Sequence, residues 1–282
     1  MRQSKRRRSQ IVEIAELSAT SGEFGKLPLP YQRVAMFYGF VANDVATFRK
    51  LFIVSMNTAL SVRDRPMHYK KYSNAQAFAI LRVFAGKALE GWEAINKQVD
   101  GVQPMRDLRD GIEEHAPGVH KLCNKYFAKT NAITIIRNKF AFHMDPLHWT
   151  GETSVDVKAS AGLQCYVRDG ANSLYATSES LLLLQIMAGL GHRITIKENK
   201  SESGDHLEQF EREWERVVDE ITTYAGRIIA LCDTIVLSVI EKAEVSGVKF
   251  TQVRHKVRDA LSIESVKMPV FTAPSSTSGP SQ

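Results

Sequence analysis

Cysteine is scarce in this chain: among 282 residues there are three, Cys123, Cys165 and Cys232. An odd number of widely spaced cysteines excludes a disulfide framework and points to reduced thiols buried as small hydrophobes. Long apolar runs are missing as well. The longest, Leu181-Leu182-Leu183-Leu184-Gln185-Ile186-Met187-Ala188, falls far short of the roughly 20 residues of a spanning helix and reads as a buried helix, so no membrane segment is expected. The basic start is interrupted by Glu13 and Glu16, which argues against a secretory signal and makes the cytoplasm the expected location. There is no Gly-x-Ser-x-Gly, no glycine-rich phosphate loop and no His-Glu-x-x-His. Serine hydrolase, nucleoside-triphosphatase and zincin chemistry therefore have no support, and no cofactor is expected. There is no internal repeat.

Excess charge is also missing from most of the chain. The net charge is +6, and Arg2, Lys5, Arg6, Arg7 and Arg8 carry five of those charges with no acid among them. The remainder is thus +1, and a broadly basic nucleic-acid face is not demanded. Residues 1–10 read as a disordered basic tail, serving as an arm that attracts RNA phosphates or as a plain solvated end. The hydrophobic content of 44% and charged content of 24% are ordinary for a soluble globular protein. The length suits one large domain with an elaboration, here residues 11–268, followed by an uncharged segment rich in Ser and Pro over most of 269–282, expected to be disordered.

What is present is mainly helical periodicity. Ile11 to Leu17 can make a short helix. Val34, Tyr38, Val41, Val45, Phe48, Phe52 and Met56 recur at threes and fours on one stripe. Ser73, with Gln76 three positions on, reads as a capping box opening a second long helix, whose buried face is Phe78, Leu81, Ala85, Ala88, Trp92, Ile95 and Val99. Shorter helices follow across Met105 to His115 and Val119 to Phe127, separated by Pro117-Gly118. Between Ser154 and Thr177 the period changes to two around Asp169-Gly170, predicting a small antiparallel hairpin or three-stranded meander. Helix resumes over Leu181 to Leu190 and stops at Gly191, and Ile194 and Ile196 could add a short extended segment. From Asp205 as an N-cap, Phe210, Trp214, Val217, Ile221, Tyr224, Ile228, Leu231 and Ile235 alternate fours and threes, the spacing of a bundle helix core, up to Gly247. A last helix is predicted through Val253 to Ile263. The expected architecture is a mainly α helical bundle with long antiparallel helices and a small β elaboration at about 154–177.

The stretch with chemistry in it is Ile136-Arg137-Asn138-Lys139-Phe140-Ala141-Phe142-His143. Arginine stays charged and grips phosphate bidentately, and histidine moves protons near neutral pH. The helix carrying them is predicted to start near Asn131 and to end around Met144, because Pro146 disfavours helix at Asp145. At about 100° per residue, Ile133, Ile136 and Phe140 cluster on one side, with Ile135 and Phe142 nearly opposite. A helix apolar on two sides is either central or pressed between its own core and a partner. On an ideal helix His143 falls about 120° from Arg137, so the two do not share a face. Convergence on one phosphate needs local unwinding near His143, a swing of the arginine, or a second subunit.

Arg137, Asn138 in the next position and His143 after five intervening residues resemble the signature of the HEPN superfamily (higher eukaryotes and prokaryotes nucleotide-binding): an arginine, a polar residue, and a histidine after four to six intervening residues. The resemblance implies a compact α-helical bundle that dimerises through its motif helices. It also implies, in many members, a metal-independent endoribonuclease of toxin–antitoxin or phage-defence systems. Arg137, Asn138 and His143 are then the catalytic set, with RNA as substrate, no metal or other cofactor, and a protein antitoxin or defence component as a further partner. Other members keep the fold as non-catalytic interaction modules, which is the alternative reading. The β segment departs from the minimal bundle. The same residues also fit a plain structural role, with the arginine capping a neighbouring helix and the histidine meeting the macrodipole at a helix C-terminus.

Lys139, His148 and Trp149 lie close by as weaker RNA-binding residues, since an aromatic after the motif can stack on a base or simply anchor packing. His115, His120 and Cys123 fall within nine residues, but no fourth ligand is near and zinc sites normally show paired spacing. Surface or interfacial histidines are the better reading.

Overall fold

The computed structural model describes residues 10–62, 64–98, 103–138, 165–166, 174–175, 203–260 and 263–268. These run in the order β1 (Gln10–Ser18), α1 (Ser21–Phe24), α2 (Leu29–Ser61), α3 (Met67–Gln98), α4 (Gln103–Asp107), α5 (Arg109–His115), α6 (Val119–Phe127), α7 (Ala132–Ile136), β2 (Cys165–Tyr166), β3 (Leu174–Tyr175), α8 (Ser203–Val245), β4 (Thr251–Ala260) and a 3₁₀ turn at Ile263–Ser265. The fold is mainly α, and β2 and β3 pair antiparallel inside the segment where a hairpin was expected. Residues 1–9 of the basic tail, the helix expected over Leu181 to Leu190, the Ile194–Ile196 segment and the segment 269–282 lie outside the described residues, while Gln10, assigned to that tail, opens β1.

Two compact units make up the chain: Met1–Lys50 with Lys87–Thr130 and Ile221–Val266, and Leu51–Gly86 with Asn131–Glu220 and Lys267–Gln282. In the first, Tyr38, Val41 and Val45 of α2, Ala88, Trp92 and Ile95 of α3, and Ile221, Ile228, Leu231 and Ile235 of α8 are buried. These are residues of the three predicted stripes, while Phe48 and Met56 stay half-buried. Close approach is set at Gly91, where a Cβ would stand 3.1 Å from Val41 Cγ1 and 3.2 Å from Ile228 Cγ2. Trp92 stacks on Phe127 at 5.1 Å, and Tyr126 on Tyr224 at 3.5 Å. In the second unit, Phe52 and Phe84 stack at 5.8 Å, and Phe78 meets Trp214 edge-on at 4.8 Å.

Three local expectations are corrected. The α3 helix begins at Met67 rather than Ser73, and Ser73 lies within it. Its hydroxyl bonds back to the Tyr69 carbonyl at 2.9 Å, the alternative that Ser offers a helix interior. The segments Ile11–Leu17 and Val253–Ile263, both predicted as helices, are mostly strand: β1 and β4 pair antiparallel, from Ser18 opposite Thr251 to Val12 opposite Val257. Neither segment shows this alone, because a Val–Val spacing of four suits either state, and the pairing joins parts of the chain far apart in sequence. A Schellman stop launches β4: Val248 N–H donates to the Ala243 carbonyl at 2.9 Å and Gly247 N–H to the Glu244 carbonyl at 2.9 Å, with Gly247 at φ 83°. At the ribbon's base the Glu23 carboxylate accepts from Lys249 N–H at 3.0 Å and from Lys26 at 2.6 Å.

Candidate functional site

Asn131 starts the motif helix by a physical device visible in the sequence. Its backbone is extended, and its side-chain oxygen accepts from Thr134 N–H at 2.8 Å, satisfying one of the donors that a helix start leaves open. Another, Ala132 N–H, is taken by Glu220 Oε1 of α8 at 3.0 Å. Glu220 lies 88 positions away, and nothing local in the sequence points to it. Four of the five residues of α7 are buried, with Ile133 and Ile136 fully inside and Ile135 8% exposed.

Ile135 was expected to need a second apolar surface, yet it is covered within the chain itself. Phe140 and Phe142, the rest of the wheel, lie outside the described residues.

After Ile136 the regular helix gives way to a π-type register at Arg137 and Asn138. Such widened turns recur at functional sites. Here the structure brings together the first two motif residues. Arg137 Nη1 donates to Asn138 Oδ1 at 3.0 Å, so the amide orients the guanidinium. Arg137 as a whole is half-buried, and its Nε is buried with no hydrogen-bond partner among the described residues. A buried donor left so carries a desolvation cost of about 1–3 kcal/mol, more for a charged group, which an anionic acceptor would relieve. His143, Lys139, His148 and Trp149 fall outside the described residues.

The weaker histidine–cysteine cluster resolves into separate partners. His115 Nε2 lies 2.8 Å from Glu241 Oε1, the His120 ring sits 5.5 Å from that of Trp92, and the Cys123 side chain is buried. Among the described residues, no group of three or more His, Cys, Asp or Glu side chains is placed to hold a metal ion. Burial pushes the Cys123 thiol up to about 11 and that of Cys232 up to about 12; both are free thiols.

Two polar features escaped the sequence. Tyr31 donates to Asp107 across 76 positions, with Lys242 over its ring at 5.1 Å. Burial first, and the Asp107 carboxylate second, push the Tyr31 phenol up to about 12. The other is a cavity of about 30 Å³ whose lining includes Arg109, Glu113, His120, Met105 and Leu231. A water needs on the order of 10–15 Å³ of such space, so this cavity has room for a water or two and none for a nucleotide. Among the described residues no helix is long and apolar enough to cross a membrane.

Comparisons with protein-family models, with curated proteins and with solved structures found no match for this chain.

Proposed function

We propose that this chain is a metal-independent endoribonuclease of the HEPN type, acting in the cytoplasm in a toxin–antitoxin or phage-defence role. The observation that supports it is the state of Arg137: held by Asn138, half-buried, and carrying a desolvated Nε donor with no acceptor among the described residues. A phosphate oxygen is the acceptor that best suits a guanidinium in that state, because charge-assisted bonds to phosphate are short and strong.

In the proposed reaction the ribose 2′-oxygen attacks the adjacent phosphorus. The bond from phosphorus to the 5′-oxygen breaks, leaving a 2′,3′-cyclic phosphate and a 5′-hydroxyl. His143 takes the 2′ proton or delivers one to the leaving 5′-oxygen, Arg137 offsets charge building on the phosphoryl oxygens, and Asn138 keeps the guanidinium aimed. Lys139, His148 and Trp149 would hold flanking nucleotides. A homodimer belongs to this reading, although Ile135 does not argue for one.

The test is cleavage of mixed cellular RNA in excess chelator. Arg137→Ala and His143→Ala should each abolish cleavage with the circular dichroism spectrum unchanged, at costs of about 10²–10³ and about 10²–10⁴ respectively, and Asn138→Ala should be milder. Undiminished cleavage by the His143 variant refutes the mechanism. If the purified parent cleaves no RNA in excess chelator, the non-catalytic interaction module takes its place, a reading favoured by the uncovered apolar side chains Val12, Ile14, Val253 and Val257 on the β1–β4 ribbon.

A further inference from the structure

The α2 helix carries a second apolar stripe opposite the one it buries. Leu29, Met36, Phe37 and Phe40 are exposed at 54%, 68%, 40% and 65%, while Val34, Tyr38, Val41 and Val45 on the other side are buried. At about 100° per residue, Leu29, Arg33, Met36, Phe40, Asn43 and Thr47 fall within some 80° of arc, and their spacing alternates four and three. That is the seam of a coiled coil, where a knob from one helix enters a hole on the next. Arg33, Asn43 and Thr47 are exposed too. Nothing in the ribonuclease reading uses this face.

We infer that this stripe is where a second copy of the chain docks, with the two α2 helices antiparallel about a two-fold axis near residue 38. Size and charge carry the inference. Counting on the order of 150–200 Å² for each of the four large side chains, the exposures leave roughly 400 Å² of apolar surface per copy. A stable interface takes about 800 Å² per partner, a little over half of it apolar, so the stripe supplies the apolar centre and the flanking polar side chains supply the rim. In a parallel pair Arg33 would face Arg33 of the other copy, a like-charge contact that disfavours the arrangement. In the antiparallel pair about residue 38, Arg33 lies across from Asn43, whose amide oxygen accepts from a guanidinium. Met36 meets Phe40. Leu29 meets Thr47, which offers a methyl for apolar contact and a hydroxyl for the solvent at the seam's end. Every seam position then finds a suitable mate, which is what an isologous two-fold contact requires.

The inference does not rest on catalysis, and its test reads assembly alone. Sedimentation equilibrium of the full chain should show a dimer at micromolar concentration. Phe40→Glu should raise its dissociation constant on the order of 10³-fold, because the substitution enters the interface twice and each buried aromatic anchor counts for about thirty-fold or more. Since Phe40 is exposed, the far-UV circular dichroism of that variant should be unchanged. Orientation is read by oxidation of single-cysteine additions against the unmodified chain. Leu29→Cys alone should give no new cross-link, because the two positions stand about 27 Å apart in the antiparallel pair, whereas a mixture of Leu29→Cys and Thr47→Cys should give a covalent heterodimer. A monomeric parent at high micromolar concentration overturns the inference. So does a dimer indifferent to Phe40→Glu, or a cross-link formed by Leu29→Cys alone.

Discussion

Replacing Gly91 by alanine tests whether α2, α3 and α8 approach as closely as the structure has them. Two effects oppose each other. Alanine is the better helix former by about 1 kcal/mol, which at an open position would stabilise α3. At this one the new methyl would stand 3.1 Å from Val41 Cγ1, 3.2 Å from Ile228 Cγ2 and 3.4 Å from Val45 Cγ2. All three contacts are at or inside the near limit for carbon pairs, whose optimum lies near 3.5–4.0 Å, and they come from β-branched side chains with stiff χ1. Overpacking of this kind costs about 1–3 kcal/mol, so the net expectation is a loss of about 0–2 kcal/mol. A cycle with Ile228→Ala sharpens it. Ile228 is fully buried, and its truncation alone should cost about 2–5 kcal/mol. In the double variant the alanine methyl occupies space that Ile228 Cγ2 has left, so the sum of the single losses should exceed the double loss by at least about 1 kcal/mol, within the range seen for touching residues. Urea unfolding followed by tryptophan fluorescence reads all four proteins. If Gly91→Ala stabilises by about 1 kcal/mol, or if the two losses add to within about 0.5 kcal/mol, the close approach is not there.

Gly247→Ala should destabilise by about 1–2 kcal/mol in the same assay, because φ 83° suits glycine and strains an L side chain. Native Cys123 and Cys232 should react with a disulfide reagent only as fast as the chain opens, because their buried, raised thiols supply almost no thiolate at neutral pH; prompt labelling of both would refute their burial. The same shifts fix a sign with pH. An unfolded thiol ionises near pH 8.5 while the folded ones hold their protons to about 11 and 12, so this contribution is full below pH 8.5 and drains away as pH rises toward 11, lowering the melting temperature over that window. Removing residues 1–8 should weaken RNA binding and flatten its dependence on salt, as fewer counterions are released; loss of cleavage at saturating RNA would instead give the arm a part in chemistry.

Sequence legibility followed the range over which each feature is determined. The interior of α8 was readable from Val217, Ile221, Ile228, Leu231 and Ile235, because a buried helical face imposes its spacing on neighbours in the chain. The limits of α6 were readable because Pro117-Gly118 breaks the helix ahead of it, with Gly118 at φ 67°. What failed was non-local or ambiguous chemistry. A serine with Gln three residues on can open a helix or sit inside one bonding backwards, as Ser73 does. Val253 and Val257 suit a helix until β1 is brought beside them. At the candidate site, the adjacency of Arg137 and Asn138 and the start of the motif helix near Asn131 were legible. Neither the clamp from Glu220 nor the π-type register after Ile136 leaves a trace in nearby residues, and the two-sided apolar wheel could not tell that Ile135 is covered from within.

The β1–β4 ribbon also constrains the order in which the chain can be completed during synthesis. Ser18 must wait for Thr251, about 230 residues later, and at roughly 5–20 residues per second that is on the order of 10–50 s. Over that interval β1 is a lone strand with both edges open and Val12, Ile14 and Leu17 along it, the kind of segment that pairs with whatever edge it meets. Glu13 and Glu16, interleaved among those side chains, break the apolar run with charge. In the finished ribbon the same two acids meet β4, Glu16 with His255 at 2.6 Å and Glu13 with Lys256 at 3.6 Å. One pair of carboxylates thus keeps the early strand solvated while it waits and receives the late strand when it arrives.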